Sequence, residues 1–299
     1  MRFAPTLWLA CLLCGPAHAA TALHPSSGDE VVERLPTITR VRPATKAPAI
    51  ADPAAAITSA ITQAHAHIAT ARQTGDTRYW GRAQAVLAPW WDQANAPVDL
   101  AVLQATVQQG RHDFQAARRI LQAAVLRAPG HAQGWLNLAS LERLSGHYPE
   151  ALRACEARAG QNLYALACQL ETQSLQGQFD AARKGFTQLL ASAQDPSQIS
   201  WLQSLLAESE ERAGRDAAAR TAYQRSLQAQ PDLYTSIALS DLLLRTGQTA
   251  QALAVLQPLP PTDAVLLRQA TAMRRLDNPA WKTLRATLDW SFDLLSPCE

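Results

Sequence analysis

The sequence predicts an all-α protein, a right-handed α-solenoid of about seven antiparallel helix hairpins over residues 54–295. From residue 54 onward Ala, Leu, Gln and Arg dominate, while Gly and Pro fall at isolated points, as in helices separated by turns. A turn recurs at positions 112, 146, 177, 214 and 247, at intervals of 34, 31, 37 and 33 residues. After each turn a small residue is followed four positions later by a large one. A period in this range is typical of stacked two-helix units.

The first 19 residues have the organisation of a secretory signal. Arg2 precedes a short apolar run from Leu7 to Leu13, and the helix-breaking pair Gly15-Pro16 follows. Ala17-His18-Ala19 then supplies the small residues that a signal peptidase accepts. We therefore predict cleavage after Ala19 and a mature protein in the periplasm or secreted.

Two alternatives for the N-terminal region are disfavoured. The apolar run is far below the ~20 residues of a bilayer-spanning helix, and we expect no integral membrane span in the rest of the chain. A lipoprotein signal prefers Leu three residues before the modified cysteine, whereas Trp8 and Cys11 occupy that place before Cys11 and Cys14. We therefore do not expect a lipid anchor.

Residues 20–53 are rich in Pro, Thr, Ala and Ser and show no helical period. This composition predicts a flexible or extended leader. Within it, Val31–Leu35 fits a strand or short helix that docks, and plain disorder until a partner binds is an equal alternative. Residues 296–299 are expected to form a short tail.

The five central hairpins share one packing device. A small residue lets the second helix of a hairpin, helix B, approach the first, helix A, and the large residue one turn later fills the groove toward the next hairpin. These pairs are Ala117 and Leu121, Ala151 and Cys155, Ala182 and Phe186, Ala219 and Tyr223, and Ala252 and Leu256.

A weaker hairpin is predicted at each end of the array. The first joins Ala54–Gln73 to Tyr79–Trp91, with Ala83 and Leu87 as its small and large residues. The last joins Ala264–Leu276 to Pro279–Leu295. In that helix Asn278 is the expected N-cap and Pro279 the first helical residue. An apolar stripe is expected to cover the end of the solenoid, and it consists of Trp281, Leu284, Leu288, Phe292 and Leu295.

One segment carries a family resemblance. The residues Trp135-Leu136-Asn137-Leu138-Ala139, followed by Gly146 and Ala151, resemble the tetratricopeptide repeat, in which an aromatic, a Leu and a small residue mark helix A and a Gly turn precedes a small residue in helix B. The resemblance covers roughly residues 54–295 and is clearest over 101–259. It implies that a peptide or a partner helix is held in the concave groove of the array.

The resemblance also implies which positions line that groove. Thirteen residues before the glycine turns at 177, 214 and 247 stand aromatic residues, and six residues before the same turns stand acids. They are Tyr164, Trp201 and Tyr234, and Glu171, Glu208 and Asp241. An aromatic and a carboxylate at matching heights would suit an extended, partly apolar and cationic ligand. The alternative is that the aromatics pack between helices and the acids are solvated. Aromatics where clamp-type relatives carry Lys argue against capture of a C-terminal carboxylate.

Two cysteines fall on facing helices. Cys155 lies on helix B of the third hairpin and Cys168 on helix A of the fourth, with a predicted turn between them at Arg158–Asn162. In an oxidising compartment this placement suggests a disulfide. The alternative is that both are small buried core residues. Cys298 is left without a partner, either inert or able to cross-link to another molecule.

The chain lacks the patterns of an enzyme. No glycine-rich phosphate loop, nucleophile elbow, H-E-x-x-H pair or C-x-x-C pair occurs after the signal. His65 and His67 are two apart and point about 200° apart on a helix, so they do not chelate one metal. We therefore expect no catalysis, no metal and no cofactor.

The charge balance excludes one class of partner. The 27 Lys and Arg residues exceed the 25 Asp and Glu residues by two, and removal of Arg2 with the signal leaves an excess of one. This near-neutrality argues against nucleic acid or an anionic membrane surface as partner. Two hypotheses follow: a periplasmic adaptor that holds protein or peptide partners of the cell envelope, or an architectural subunit whose ends stack into an oligomer. The sequence leaves the oligomeric state open.

Overall fold

The computed structural model describes residues 52–157 and 162–295, with side chains as far as Leu288. All regular secondary structure in these ranges is helical. The fourteen α-helices are α1 Pro53–Thr74, α2 Arg78–Leu87, α3 Val98–Gly110, α4 Phe114–Arg127, α5 Ala132–Leu144, α6 Tyr148–Glu156, α7 Leu163–Leu175, α8 Phe179–Ser192, α9 Pro196–Arg212, α10 Asp216–Ala229, α11 Leu233–Arg245, α12 Thr249–Leu256, α13 Asp263–Arg275 and α14 Trp281–Leu295. Consecutive helices pair into seven hairpins in the described chain, each packed on the next. The predicted all-α solenoid of hairpins is confirmed.

Every hairpin turn contains one residue with a left-handed backbone. The φ angles are positive at Gly75, Gly146, Gly177, Gly214 and Gly247, and also at His112 and Asp277. From the second hairpin on, the next backbone N–H donates to the carbonyl five residues back, as from Arg215 to Glu210 and from Gln248 to Leu243. This is the bonding of a Schellman cap, which stops a helix and reverses the chain. The turn spacing in the sequence is therefore a repeated helix-stop signal.

Helices A also have sequence-encoded starts. The side chains of Asp52, Asn162, Asp195, Asp232 and Thr262 each accept a hydrogen bond from a backbone N–H in the first turn of the helix that follows. Such caps satisfy donors that have no partner inside the helix. In these five helices, caps at both ends mark the limits of the helix before any packing is considered.

The predicted small and large residues form the core. All twelve, from Ala83 and Leu87 in the first hairpin to Ala252 and Leu256 in the sixth, are at most 1% exposed. Core clusters join neighbouring hairpins: one spans the first and second, another the second to fourth, and two more the fourth to seventh. Each unit thus buries its apolar side chiefly against its neighbours, as in a quasi-linear array.

One contact departs from neighbour-only packing. The first hairpin also touches the sixth, through α1 and α11, and its turn lies against the start of α13. A β-carbon placed on Gly75 would lie 3.4 Å from Thr262 Cβ. The curvature of the array therefore brings its beginning back onto its later hairpins.

The two end hairpins differ slightly from the prediction. Helix α2 ends at Leu87 and continues as a 3-10 turn over Ala88–Trp90, because Pro89 lacks the N–H that an α-helix needs there. Helix α14 begins at Trp281, two residues later than expected. Asn278 Oδ1 accepts from the Ala280 N–H at 3.0 Å, so it caps a turn before the helix. Of the apolar stripe, Leu288 is buried, and the side chains of Phe292 and Leu295 lie outside the described part.

Among the described helices, none combines the length and the apolar character needed to cross a bilayer. The predicted signal, the residues 20–51 of the leader, and the tail at 296–299 lie outside the described residues.

Candidate functional site

Two connected recesses lie along helices A. The first has a volume of about 390 Å³ and is bordered by Leu136, Arg143, Tyr164, Glu171 and Trp201 among others. The second, of about 920 Å³, shares Arg143, Glu171 and Trp201 with the first and continues past Glu208 and Tyr234. We call the two together the helix-A groove. Five of the six predicted groove residues line it.

The sixth predicted residue lies elsewhere. Asp241 borders a separate recess with Leu244, Leu267, Arg268 and Thr271. Its carboxylate is held by Arg268, whose Nε and Nη2 donate to Oδ1 and Oδ2, each at 2.7 Å. The helix-A groove therefore includes both members of two predicted pairs of an aromatic and an acid. Of the third pair it includes only the aromatic residue.

The three predicted aromatics differ in their surroundings. The rings of Tyr164 and Trp201 pack together with centroids 5.4 Å apart and planes tilted by 39°. Tyr164 remains 45% exposed, so this pair offers an apolar surface to the groove. Tyr234 is more exposed, and its hydroxyl donates to Glu208 Oε1 at 2.8 Å. Local desolvation of the hydroxyl and the adjacent Glu208 carboxylate raise the pKa of Tyr234.

The predicted carboxylates are already engaged. Glu171 pairs with Arg143, with Oε2 and Nη2 2.7 Å apart, and Glu208 lies 3.5 Å from Nη1 of Arg212. Burial raises the pKa of Glu171 above its usual value, and Arg143 opposes that shift. The expectation of free acids awaiting a cationic ligand did not anticipate these arginines. Arg143 lies on the preceding hairpin, so the spacing of residues within one hairpin does not predict this ion pair.

A further groove residue comes from the far end of the array. Arg72 and Gln73, in the last turn of α1, border the same recess as Trp201, Glu208 and Tyr234. They reach it because the first hairpin contacts the sixth. Sequence reasoning missed them, since they lie more than a hundred residues before the positions they face.

A second set of charges, away from the helix-A groove, was also missed. Glu210 is buried, at 2% exposed, and its carboxylate accepts from Nε of Arg183 and Nε of Arg215, each at 2.7 Å. Glu142 repeats the arrangement with Arg118, at 2.7 Å. Both glutamates stand four residues before a turn glycine, and this shared register is the signal that was available. They connect one hairpin to the next.

The two cysteines are joined. Cys155 on α6 and Cys168 on α7 form a disulfide, with their Cα atoms 5.7 Å apart, and both are buried. The bridge links the third hairpin to the fourth beside the Tyr164 recess, which Cys168 also borders. Cys298 lies outside the described residues.

No metal site is evident in the described ranges: nowhere there do three or more His, Cys, Asp or Glu side chains converge as ligands. Two serine hydroxyls that border the groove make internal bonds. Ser197 Oγ donates to Asp195 at 2.5 Å, and Ser204 Oγ donates to the Trp201 carbonyl at 2.8 Å. The first bond joins Ser197 to the N-cap of α9, and the second lies within that helix.

Comparison with known proteins agrees with the fold. The family model described as tetratricopeptide repeat matches residues 102–163 and 176–234. No curated protein matches the sequence. Among solved structures, the chain is similar to the Cut9–Hcn1 hetero-tetramer of the APC/C, with a TM-score of 0.50 and 15% identity, over 78% of this chain and 46% of that one.

Two bacterial structures are also similar to this chain, each with a TM-score below 0.5. A thermophilic tetratricopeptide repeat protein of Thermus thermophilus has a TM-score of 0.49 and 20% identity, over 62% of this chain and 98% of that one. A tetratricopeptide repeat protein of Parabacteroides merdae has a TM-score of 0.47 and 15% identity, over 78% of this chain and 93% of that one. At 15% identity, the similarity to the Cut9–Hcn1 structure bears on the fold and not on a partner. Within residues 102–163 and 176–234, which the family model matches, the helix hairpins are tetratricopeptide repeats.

Proposed function

We propose that this chain is a non-enzymatic scaffold of the periplasm that holds an extended segment of an envelope protein in the helix-A groove. One observation carries the proposal: the groove is continuous along several hairpins and keeps the Tyr164 and Trp201 rings on its surface. Exposed aromatics in a concave, partly apolar surface are the usual anchors of peptide recognition. Arrays of this family generally recruit or assemble other proteins.

The size of the groove supports a peptide ligand. Recesses of about 390 and 920 Å³ fall within the range that encloses ligands of drug size, roughly 300–1,000 Å³. They are open along the array and not closed around a small molecule. An extended segment that runs past several hairpins makes use of that continuity.

The proposed compartment rests on two features. The N-terminal sequence has the organisation of a cleaved secretory signal, and Cys155 and Cys168 form a buried disulfide. Disulfides persist in oxidising compartments such as the bacterial periplasm and are rare in the cytosol.

Affinity capture from an envelope extract tests this function. Wild-type protein is compared with Tyr164→Ala and Trp201→Ala, and with Leu126→Ala as the control, because Leu126 is 79% exposed on the helix-B side. We expect both aromatic variants to lose a partner that the control retains. Circular dichroism verifies that each variant is folded. If all four proteins capture the same set, the groove is not the binding site.

Two matched charge-reversal variants extend this test. Glu208→Lys changes the groove, and Glu156→Lys makes the same change at an exposed site at the end of α6. Capture that is reduced by the first and unaffected by the second assigns binding to the groove. Equal effects of the two contradict that assignment.

The architectural alternative has one observation in its favour. Leu267 and Leu276 in the last described hairpin are 57% and 43% exposed, which leaves apolar surface near the end of the array. Light scattering over a range of concentrations separates the two functions. A monomer supports the scaffold, and a concentration-dependent oligomer that dissociates in Leu267→Asp supports the subunit.

A further inference from the structure

The first hairpin supplies one wall of the helix-A groove. Gly75 in its turn lies against Thr262, and the C-terminal turn of α1 places Arg72 and Gln73 opposite α9 and α11. The groove is therefore bordered by the early and the late hairpins at once. A ligand that occupies it contacts residues from both.

The negative groups of this groove have their own donors. Glu171 is bound by Arg143, and Glu208 by the Tyr234 hydroxyl with Arg212 nearby. The remaining acid, Asp232, accepts from the N–H and the hydroxyl of Thr235 at 2.7 and 2.8 Å, because it caps α11.

A cationic ligand would have to displace or share these partners. Breaking a hydrogen bond to a charged group costs free energy, so the existing pairs weaken the case for a basic ligand.

Arg72 differs from these acids in its bonding. Its guanidinium makes no hydrogen bond or ion pair with any residue in the ranges that the structure describes. Protein packed around it removes part of its hydration and lowers its pKa, although the residue is still accessible at the groove mouth. A cation that is partly desolvated and unpaired gains more from an incoming carboxylate than a fully hydrated one does.

From this arrangement we propose that the groove selects an acidic peptide segment, in which an Asp or Glu side chain pairs with Arg72 and a neighbouring aromatic or large apolar side chain packs on Tyr164 and Trp201. The inference rests on the proposed function and assigns its partner chemistry. It reverses the cationic ligand that the spacing of carboxylates in the sequence favoured. Arginine is suited to this role because its planar fork binds a carboxylate through two parallel hydrogen bonds.

A random dodecapeptide library displayed on phage tests the proposal. The library is selected against the whole wild-type chain, Arg72→Glu, Arg72→Lys and Trp201→Ala. We expect wild type to enrich peptides with Asp or Glu near an aromatic residue. Arg72→Glu should enrich Lys or Arg instead, and Arg72→Lys should keep the acidic preference. Circular dichroism verifies that each variant is folded, as expected for an accessible side chain with no partner in the described ranges.

One selected peptide then gives the magnitude. Fluorescence anisotropy compares it with a copy in which the acid is replaced by its amide, since the two differ in charge and little in shape. Loss of one charge-assisted contact corresponds to about a tenfold weaker Kd for wild type. The same replacement should leave the Kd for Arg72→Glu unchanged or improve it.

The outcomes separate this inference from the function it rests on. Peptides that require Trp201 but show no acidic preference, or the same preference with Arg72→Glu, overturn the inference and leave the scaffold function standing. A library in which no peptide depends on Trp201 overturns both.

Discussion

Tyr234 of the sixth hairpin donates its hydroxyl hydrogen to Glu208 of the fifth, with Oη and Oε1 2.8 Å apart. In the predicted pairing of aromatics with acids, Tyr234 belonged with Asp241 and Glu208 with Trp201. The contact therefore runs between hairpins and not within one. It shows that an aromatic of one repeat and an acid of the preceding repeat become partners across a repeat boundary.

A double-mutant cycle measures this contact. Tyr234→Phe removes the donor, and Glu208→Gln removes the charge of the acceptor, so their effects on the free energy of unfolding should be non-additive by about 0.5–1 kcal/mol. Urea denaturation of the four proteins gives the interaction free energy. Tyr148→Phe combined with Glu208→Gln is the control, and its effects should add. Additive effects of the first pair would show that the bond does not form in solution.

Glu210 should make stability depend on pH. Burial opposes its ionisation, but the hydrogen bonds from Arg183 and Arg215 outweigh that effect and hold its pKa below the usual value. A lowered folded-state pKa gives stability that is present above the unfolded pKa, near 4.3, and is lost as pH falls through the folded value. Glu210→Gln should therefore cost about 2 kcal/mol at pH 7.

The cost of Glu210→Gln should shrink as the wild-type carboxyl becomes protonated. Thermal unfolding at pH 7, 5 and 3 follows the difference between the two proteins. Glu156→Gln, at an exposed position, should have little effect at any of these pH values. If the loss of stability in Glu210→Gln keeps a constant size from pH 7 to pH 3, the role of the ionised carboxylate is contradicted.

The disulfide between Cys155 and Cys168 should stabilise the array by limiting the unfolded chain. A sequence separation of 13 residues corresponds to about 3 kcal/mol in the loop-entropy model. Dithiothreitol should lower the urea midpoint of the wild type. It should leave that of the variant with both cysteines changed to Ala unaffected. Free thiols at both positions in unreduced peptides, detected by mass spectrometry, would rule out the bridge.

The contact between the first hairpin and the later ones is testable by cross-linking. A β-carbon at position 75 would lie 3.4 Å from Thr262 Cβ, close to the 3.5–4.5 Å that separates the β-carbons of a disulfide. Gly75→Cys with Thr262→Cys, in a Cys298→Ser background, should therefore form a bridge on mild oxidation. The left-handed backbone at Gly75 should add a strain of about 1 kcal/mol without preventing it.

A geometric control accompanies this experiment. Gly130 lies between the second and third hairpins, and a β-carbon there would have no heavy atom within 4 Å. Gly130→Cys with Thr262→Cys should yield only free thiols within the monomer. If the Gly75 pair also stays reduced, the array is open in solution and Arg72 does not face the groove.

The sequence by itself determined the repeating parts of this protein. Turn residues such as Gly177 and Gly214, the caps on helices A, and pairs such as Ala219 and Tyr223 act within about forty residues of chain. Their roles are local, so a period in the sequence reports them directly. The facing cysteines are predictable for the same reason, because one turn separates their helices.

Only the tertiary structure decided what faces the groove. Arg143 reaches Glu171 from the neighbouring hairpin, and Arg72 reaches the groove from five hairpins away. That reach depends on the rotation between successive hairpins, which is small for each step and accumulates along the array. Side-chain packing at every interface sets this rotation, and the spacing of residues along the chain does not record it.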